Sequence, residues 1–253
     1  MSPPKDIAVI LAAAGKSSRF QGENGEAVPK KTFAGLLGKP VWLHSAERFS
    51  RRDDVEQLIV VVSPEDITWF RQYYAEEINR MYLLVVPGGE QRVDSVRNAL
   101  QAVRKDIELV AVHDAARPCF RDELIDAVFE KARSEGAAML ASPIVGTVKR
   151  VRENRIVETV PREELWEAQT PQVFRREIIK TAFNRRGDSN PTDDAALVEQ
   201  IGFSVFVVSS DRWNIKITTQ TDLTLAELIL SAQNGNNAED LRENMAYDNL
   251  EGS

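Results

Sequence analysis

Two short cationic segments near the start of the chain could bind a polyphosphate. The apolar run Ile7–Leu11 leads into the small-residue turn Ala12–Gly15, which Arg19 follows. Lys30 and Lys31 add a second cationic point. Small residues let the backbone approach a ligand closely, and backbone N–H groups, a guanidinium and an ammonium all bind phosphate oxygens. The pattern indicates a nucleotide site, with an ordinary strand-to-helix turn as the alternative.

The turn does not match either of two common phosphate-binding motifs. The P-loop pattern requires glycine where this chain has Ile10. The dinucleotide fingerprint requires three glycines at positions held by Ala13, Gly15 and Ser18. The nucleotide hypothesis therefore depends on the rest of the chain.

Composition excludes several classes of function. The net charge of −7 argues against nonspecific nucleic-acid binding, which favours a basic face. Cys119 is the only cysteine, and with His44 and His113 the only histidines the sequence has no Cys/His set for zinc. We expect no intrachain disulfide, no signal peptide, no membrane span and a cytoplasmic location.

The hydrophobic pattern predicts one domain over residues 1–231 and a flexible polar tail over residues 232–253. Apolar runs that read as strands buried on both faces alternate with helical patterns at Arg92–Val103 and Asp122–Arg133. This order predicts a three-layer α/β sandwich with a mainly parallel, Rossmann-like nucleotide-binding sheet. The predicted strands are Ile7–Leu11, Leu58–Val62, Leu83–Val86, Leu109–His113 and Ala137–Ser142.

A charged segment departs from that plan. The runs Val148–Arg152 and Arg155–Thr159 flank Glu153 and Asn154, which is typical of a β-hairpin. An isolated hairpin is marginally stable in water, so we expect this arm, about residues 147–162, to pack against another subunit. A solvated hairpin at the edge of its own chain is the alternative.

Eight motifs, in order along the chain, match one family. Together they resemble 2-C-methyl-D-erythritol 4-phosphate cytidylyltransferase, an enzyme family of the non-mevalonate isoprenoid pathway. The segments are Ala13–Arg19, Pro29-Lys30, Gly88–Val96, Val112–Pro118, Thr147–Arg150, Leu165–Gln172, Thr192–Ala195 and Asn214–Thr218.

The resemblance implies a nucleotidyl transfer that joins CTP to methylerythritol 4-phosphate and releases pyrophosphate, with Mg²⁺ accompanying CTP. The nucleophile is a phosphate that is already anionic at neutral pH, because its second pKa is about 6, so no general base is required. Charge neutralisation is what the reaction needs. By resemblance, Arg19 and Lys30 contact the triphosphate and Lys216 reaches the α-phosphate, while Arg162 completes the catalytic set.

The resemblance also implies the binding residues. Two loops and a strand end would hold the nucleotide: Ala13, Ala14, Gly15, Gly89, Ser95, Asp114 and Ala115. Methylerythritol phosphate would contact Arg117, Thr147, Arg162 and Thr170. In the family, the arm of one subunit reaches its partner's site, which implies a homodimer through the hairpin. No protein metal ligand is expected, because the phosphates of CTP mainly hold the Mg²⁺.

Two alternatives accompany these expectations. A cytidylyltransferase for ribitol 5-phosphate has overlapping motifs, and a non-catalytic nucleotide-binding module would keep the fold alone.

His113 and Cys119 are interpreted as packing residues, because the mechanism has no step for a proton carrier. The sequence departs from the family pattern in a longer loop, Phe20–Val28, and in Gly146, which stands where Asp is expected before Thr147.

Overall fold

The computed structural model describes residues 4–15 and 30–235. Within these ranges the strands are β1 (Ile7–Ala12), β2 (Gly35–Leu36), β3 (Lys39–Pro40), β4 (Val55–Val62), β5 (Leu84–Pro87), β6 (Leu109–Asp114), β7 (Ala137–Pro143), β8 (Val148–Arg152), β9 (Arg155–Val160), β10 (Trp166–Arg175) and β11 (Phe206–Ser209). The helices are α1 (Val41–Ser50), α2 (Ile67–Tyr73), α3 (Ala75–Arg80), α4 (Arg92–Ala102), α5 (Asp122–Glu135), α6 (Arg176–Asn184), α7 (Ala195–Gln200) and α8 (Gln220–Gln233). All five predicted strands and both predicted helices are present, with ends displaced by up to three residues.

Seven strands form the central sheet in the order β11, β7, β10, β6, β1, β4, β5. Strand β10 is antiparallel to both its neighbours, β6 and β7, and every other pairing is parallel. The prediction of a mainly parallel sheet is therefore confirmed. A parallel sheet collects ligands at the carboxyl ends of its strands, which is the edge where the motifs lie.

Both faces of the sheet are buried, as the apolar strand sequences predict. In β1, Ile7, Val9 and Leu11 pack into one hydrophobic cluster with α1 and α5. Ala8 and Ile10 point to the opposite face and pack with α4, α6 and α7. Alternate side chains of a strand face opposite ways, so a continuous apolar run serves two layers of helices. This arrangement is the predicted three-layer sandwich.

Gly136 joins α5 directly to β7. Its φ of +90° lies in the left-handed region that glycine adopts without strain. Its N–H donates to the carbonyl of Ala132, which ends the helix, and β7 begins at the next residue. Helix α5 therefore packs closely on the sheet it enters.

The predicted arm is confirmed as a hairpin of β8 and β9. The turn residues Glu153 and Asn154 both have positive φ, as a two-residue hairpin turn requires. Both strands are largely exposed, including the apolar side chains of Val151, Ile156 and Val157. Within the single chain the arm thus leaves apolar surface in solvent.

The segment that carries Lys216 is fixed at the start of α8. Thr219 caps this helix by accepting from the N–H of Asp222, whose carboxylate in turn accepts from the N–H of Thr219. Helix α8 ends at Gln233, and residues 236–253 of the predicted tail lie outside the described residues. None of the helices in residues 4–15 and 30–235 is long and apolar enough to cross a membrane.

Candidate functional site

A cavity of about 610 Å³ opens at the carboxyl edge of the sheet. Its walls come from the ends of β1, β4, β5 and β6 and from the segment that carries Lys216. Six of the predicted site residues line it: Ala14, Gly15, Gly89, Ser95, Asp114 and Lys216. Two more predicted nucleotide residues, Ala13 and Ala115, are buried directly behind this wall.

Close backbone packing requires Gly88 and Gly89 after β5. A Cβ atom on Gly88 would lie 2.7 Å from Cβ of Ala14, and one on Gly89 would lie 2.4 Å from Cβ of Asp94. The N–H of Gly89 also donates to Oγ of Ser95 at 3.0 Å, and that hydroxyl donates to the carbonyl of Gln91 at 3.1 Å. These contacts hold the Gly-Gly loop against the turn that follows β1.

Asp114 lies at the centre of a cluster of three cations, of which Lys216 and Arg92 line the cavity. Its carboxylate is 2.6 Å from Nζ of Lys216, 3.3 Å from Nε of Arg92 and 3.8 Å from Nε of Arg117. Burial favours the neutral acid, but the charges of Arg92, Lys216 and Arg117 outweigh it and hold the pKa of Asp114 well below its ordinary range. The aspartate is therefore an anion that orders three cations.

Arg92 and Asp194 form an ion pair at the cavity that sequence reasoning missed. Arg92 lines the cavity, and its Nη1 lies 2.8 Å from a carboxylate oxygen of the buried Asp194. Burial lowers the pKa of Arg92, but Asp194 and Asp114 raise it more, so the guanidinium stays charged. Burial raises the pKa of Asp194 and its contact with Arg92 opposes that rise. The signal was present, since both residues stand in the matching motifs.

A network of buried hydrogen bonds positions Lys216. Nδ2 of Asn214 donates to Oε1 of Gln169 and to the carbonyl of Thr170, both at 3.0 Å. The carbonyl of Asn214 accepts from Nη1 of Arg117 at 2.7 Å. These bonds fix the backbone two residues before Lys216, so its ammonium is held at the cavity rather than left to move in solvent.

Arg117 and Thr170, predicted to contact substrate, lie behind the cavity wall. Both are buried, at 5% and 4% exposure. The hydroxyl of Thr170 accepts from the N–H of Asp114 at 3.0 Å and lies 3.1 Å from Nδ1 of His113. In the described structure these two residues therefore support Asp114 and Asn214, and a direct contact with substrate stays a prediction.

His113 has the surroundings of a packing residue. It is fully buried at the end of β6, stacks edge-on against Phe120 and Phe49, and contacts the carbonyl of Arg117 through Nε2 at 3.0 Å. Burial lowers its pKa to about 4, which keeps it neutral at physiological pH. Cys119 is also buried, and burial raises the pKa of its thiol to about 12. These buried surroundings agree with the expectation that both residues pack in the core.

Lys30 lies beside the cavity and contacts two of its wall residues. Its ammonium donates to Oγ of Ser63 at 2.8 Å and to Oε1 of Glu65 at 3.0 Å. Asp66, at the start of α2, accepts a third hydrogen bond at 2.5 Å. Sequence reasoning found Lys30 but none of these partners, which follow β4 more than thirty residues later.

Two further predicted residues, Thr147 and Arg162, do not reach this cavity within the described single chain. Thr147 and Arg162 are exposed at the base of the arm, where the Arg162 guanidinium donates to the carbonyl of Val145. Arg19 and the loop Phe20–Val28 lie outside the described residues. The role of Arg162 and Thr147 in a partner's site and the role of Arg19 stay predictions.

The acidic motif Thr192–Ala195 leads into a short helix. A threonine followed by acidic residues is typical of a helix N-terminus capped by that threonine. Helix α7 begins later, at Ala195, with Asp194 at its N-cap, and the N–H of Ala196 donates to the carboxylate of Asp193 at 3.1 Å. The motif places Asp194 beside Arg92. This contact joins distant parts of the chain, so a local sequence pattern does not indicate it.

Comparison with known proteins gives one consistent result. The family model for 2-C-methyl-D-erythritol 4-phosphate cytidylyltransferase matches residues 7–232. The enzyme of that name from Solibacter usitatus is 40% identical over 232 residues, covering 88% of this chain and 95% of the relative. The one from Pelotomaculum thermopropionicum is 40% identical over 237 residues, covering 92% of this chain and 98% of the relative.

Solved structures agree with the sequence comparisons. The structure of 2-C-methyl-D-erythritol 4-phosphate cytidylyltransferase from Francisella tularensis has a TM-score of 0.74 and 30% identity, covering 88% of this chain and 99% of that chain. The enzyme from Thermus thermophilus gives a TM-score of 0.71 and 29% identity, covering 89% of this chain and 98% of that chain. The motifs, the cavity they build and these matches together show that this chain belongs to the 2-C-methyl-D-erythritol 4-phosphate cytidylyltransferase family.

Proposed function

We propose that this chain transfers CMP from CTP to 2-C-methyl-D-erythritol 4-phosphate. A phosphate oxygen of the acceptor attacks the α-phosphorus of CTP, and the bond from that phosphorus to the bridging oxygen of the β-phosphate breaks. Pyrophosphate leaves with the electron pair, and the product is 4-diphosphocytidyl-2-C-methyl-D-erythritol. Family membership and the Asp114-centred cation cluster on the cavity wall support this reaction.

The cation cluster supplies what the reaction requires. Two phosphates that repel each other must meet, and negative charge builds up around the α-phosphorus. Lys216, held by Asp114, and Arg92 present positive charge to the cavity without having to be gathered during the reaction. Lys30 and, by resemblance, Arg19 would neutralise the triphosphate. No side chain has to move a proton, which agrees with the neutral, buried His113.

We propose that the glycine loop favours a pyrimidine over a purine. Gly88, Gly89 and Ala14 are packed so closely that the pocket wall cannot move outwards by a side-chain rotation. We propose that this rigid wall accepts cytosine and excludes the larger purines, by at least about 10²-fold in kcat/KM for CTP over ATP or GTP.

We propose that Mg²⁺ enters with CTP and that its ligands are mainly phosphate oxygens and water. Mg²⁺ commonly binds enzymes through substrate phosphates in this way. The cavity wall fits this arrangement, because Lys216 and Arg92 flank Asp114 and make that part of the wall suited to phosphate oxygens rather than to a bare cation. Bound there, Mg²⁺ would withdraw charge from the triphosphate.

We propose a homodimer in which the arm completes the acceptor site of the partner subunit. The exposed apolar side chains of β8 and β9 support this, since an isolated hairpin of this size gains little stability alone. The exposed guanidinium of Arg162 can bind a phosphate through two hydrogen bonds.

We infer that the protein is located in a reducing cytoplasm, because its single cysteine, Cys119, is a buried free thiol.

The acceptor is tested by measuring pyrophosphate release from CTP, in the presence of Mg²⁺, with two acyclic polyol phosphates. We expect rapid release with 2-C-methyl-D-erythritol 4-phosphate and a kcat/KM at least about 10²-fold lower with ribitol 5-phosphate, which lacks the branching methyl group. Mass spectrometry of the product identifies the diphosphocytidyl compound. Equal rates with ribitol 5-phosphate, or no release with either acceptor, would contradict the proposal.

A further inference from the structure

Three contacts within the chain occupy the ammonium of Lys30. A lysine ammonium has three N–H donors, and here they point to Ser63, Glu65 and Asp66 at 2.8, 3.0 and 2.5 Å. A phosphate oxygen of CTP can therefore accept from Lys30 only if one of these contacts is released. Which contact is released decides how Lys30 meets the nucleotide.

The two carboxylates around Lys30 have different surroundings. The side chain of Asp66 is 23% exposed, and it accepts a second hydrogen bond from Oγ of Ser63 at 2.5 Å. The side chain of Glu65 is 65% exposed, and Glu65 lines the cavity. A triphosphate in the cavity would repel the Glu65 carboxylate directly, whereas the inner contact with Asp66 would be retained.

The backbone around Lys30 is also attached to the element that carries Asp66. The carbonyl of Lys30 accepts from the N–H groups of Phe33 and Ala34, forming a turn. The ring of Phe33 packs against Trp69 and Phe70 of α2, with centroids 5.3 and 5.9 Å apart. The side chain of Lys30 is therefore held by Asp66 at the start of α2, and its main chain is held near α2 through the packing of Phe33.

We infer that Asp66 is a positioning residue that holds Lys30 at the nucleotide cavity, and that Glu65 is a placeholder that the triphosphate displaces from Lys30. This inference rests on the proposed use of CTP. Asp66 acts through Lys30 and touches no substrate atom. Glu65 competes with the nucleotide for the same ammonium proton.

The ionisation of Lys30 agrees with this assignment. Burial lowers the pKa of its ammonium, but the hydrogen bonds and charges of Asp66 and Glu65 outweigh burial and raise the pKa above its ordinary value. The amine is therefore fully protonated at neutral pH. The charge that would meet the triphosphate is already present before CTP binds.

Neighbouring substitutions test the two roles, because they should act in opposite directions. Asp66→Asn removes the inner anchor, and we expect kcat/KM for CTP to fall about 10- to 100-fold through misplacement of Lys30. Glu65→Gln removes the competitor, and we expect KM for CTP to fall about 2- to 5-fold, as for loss of one exposed charge contact. Calorimetric titration with CTP and Mg²⁺ should show weaker binding by the first variant and tighter binding by the second.

Glu76→Gln, an exposed glutamate on α3, is the matched control and should equal wild type. Thermal unfolding establishes that each variant is folded. If Asp66→Asn is unfolded, Ser63→Ala replaces it, because that change removes the hydroxyl that contacts both Lys30 and Asp66. Values for Asp66→Asn and Glu65→Gln that equal the control, or that change in the same direction, overturn the inference. If the two variants shift CTP affinity in opposite directions but the wild type forms no product, the inference is upheld and the proposed reaction is contradicted. A wild type that binds no CTP overturns both.

Discussion

Nζ of Lys216 lies 2.6 Å from Oδ2 of Asp114, and this ion pair stands at the meeting point of β6, the Asn214 network and the cavity. Asp114 is 7% exposed, whereas 36% of the Lys216 side chain is exposed. The anion is therefore fixed inside the protein and the cation faces the cavity. A lysine held in this way can neutralise a phosphate without losing much side-chain freedom on binding.

Replacing Asp114 by Asn should damage both stability and turnover. The substitution leaves Arg92, Arg117 and Lys216 without their shared anion, and removing one partner of a buried ion pair costs about 3–5 kcal/mol. We expect kcat/KM to fall about 10²-fold because Lys216 loses its position. Denaturant unfolding and pyrophosphate release measure the two effects.

Asp106→Asn is the control for that substitution, because Asp106 forms an exposed ion pair with Arg104. We expect little change in either measurement, since exposed pairs contribute little. An Asp114→Asn protein as stable and as active as the control would show that the buried pair does not organise the site.

Gly88→Ala should disturb the nucleotide loop through steric contact. The new Cβ would lie 2.7 Å from Cβ of Ala14 and 3.0 Å from Oγ of Ser95, so at least one of the loops must shift. We expect a loss of about 1–3 kcal/mol in the free energy of unfolding, and weaker binding of CTP. Gly35→Ala is the matched control, because a Cβ there meets nothing within 4 Å. Equal CTP affinity in the two variants would contradict the role of the glycine loop.

The protonation of His113 should affect stability but not the pH dependence of turnover. Its folded-state pKa of about 4 is below the ordinary value of 6.5. As the pH falls from 6.5 towards 4, the unfolded chain binds a proton that folded His113 does not. The free energy of unfolding therefore decreases across this window, by about 3 kcal/mol at most from this residue.

An NMR titration of the histidine ring protons and denaturant unfolding between pH 4 and 7 check this. We expect His113→Gln to show a flatter stability profile than wild type over that range. A wild-type His113 that titrates near pH 6.5 would contradict the packing role. A pH-dependent change in kcat that is present in the wild type and absent from His113→Gln would contradict it as well.

The arm should supply Arg162 to the other subunit. If so, inactive Arg162→Ala and Lys30→Ala homodimers should regain activity when their subunits are exchanged, because each heterodimer then has one site with both changes and one with neither. Half of the dimers in a random mixture are heterodimers, so we expect about a quarter of wild-type activity from two-fold symmetry. Background activity after exchange, verified by mass spectrometry, would place Arg162 in its own subunit's site.

The five predicted strands, helices α4 and α5, and the hairpin could be predicted from the sequence because their signals are local. Apolar runs such as Ile7–Leu11 indicate buried strands, and Glu153-Asn154 between alternating residues indicates a tight turn. The motifs after β1, β5 and β6 each follow the carboxyl end of a strand, so sheet topology also predicts that they meet at one edge. These features require only neighbouring residues and general rules of sheet topology.

The partners within the site could not be predicted in the same way. Lys30 meets Asp66, and Arg92 meets Asp194, across separations of 36 and 102 positions that only the folded chain closes. The burial of Arg117 and Thr170 has the same origin. Their residue types suggest contact with phosphate or hydroxyl groups, but the folded chain uses their polar atoms to hold Asn214 and Asp114.

The rate of the chemical step in a Lys216→Ala variant tests the account most directly. Rapid mixing of enzyme in excess with labelled CTP, Mg²⁺ and 2-C-methyl-D-erythritol 4-phosphate measures a single turnover, with Lys105→Ala as an exposed lysine control. We expect CTP affinity within a few-fold of wild type and a chemical step about 10²–10³-fold slower, as for loss of one preorganised group at a developing charge. A Lys216→Ala enzyme that forms the diphosphocytidyl product at the wild-type rate would contradict the role of the Asp114-held lysine.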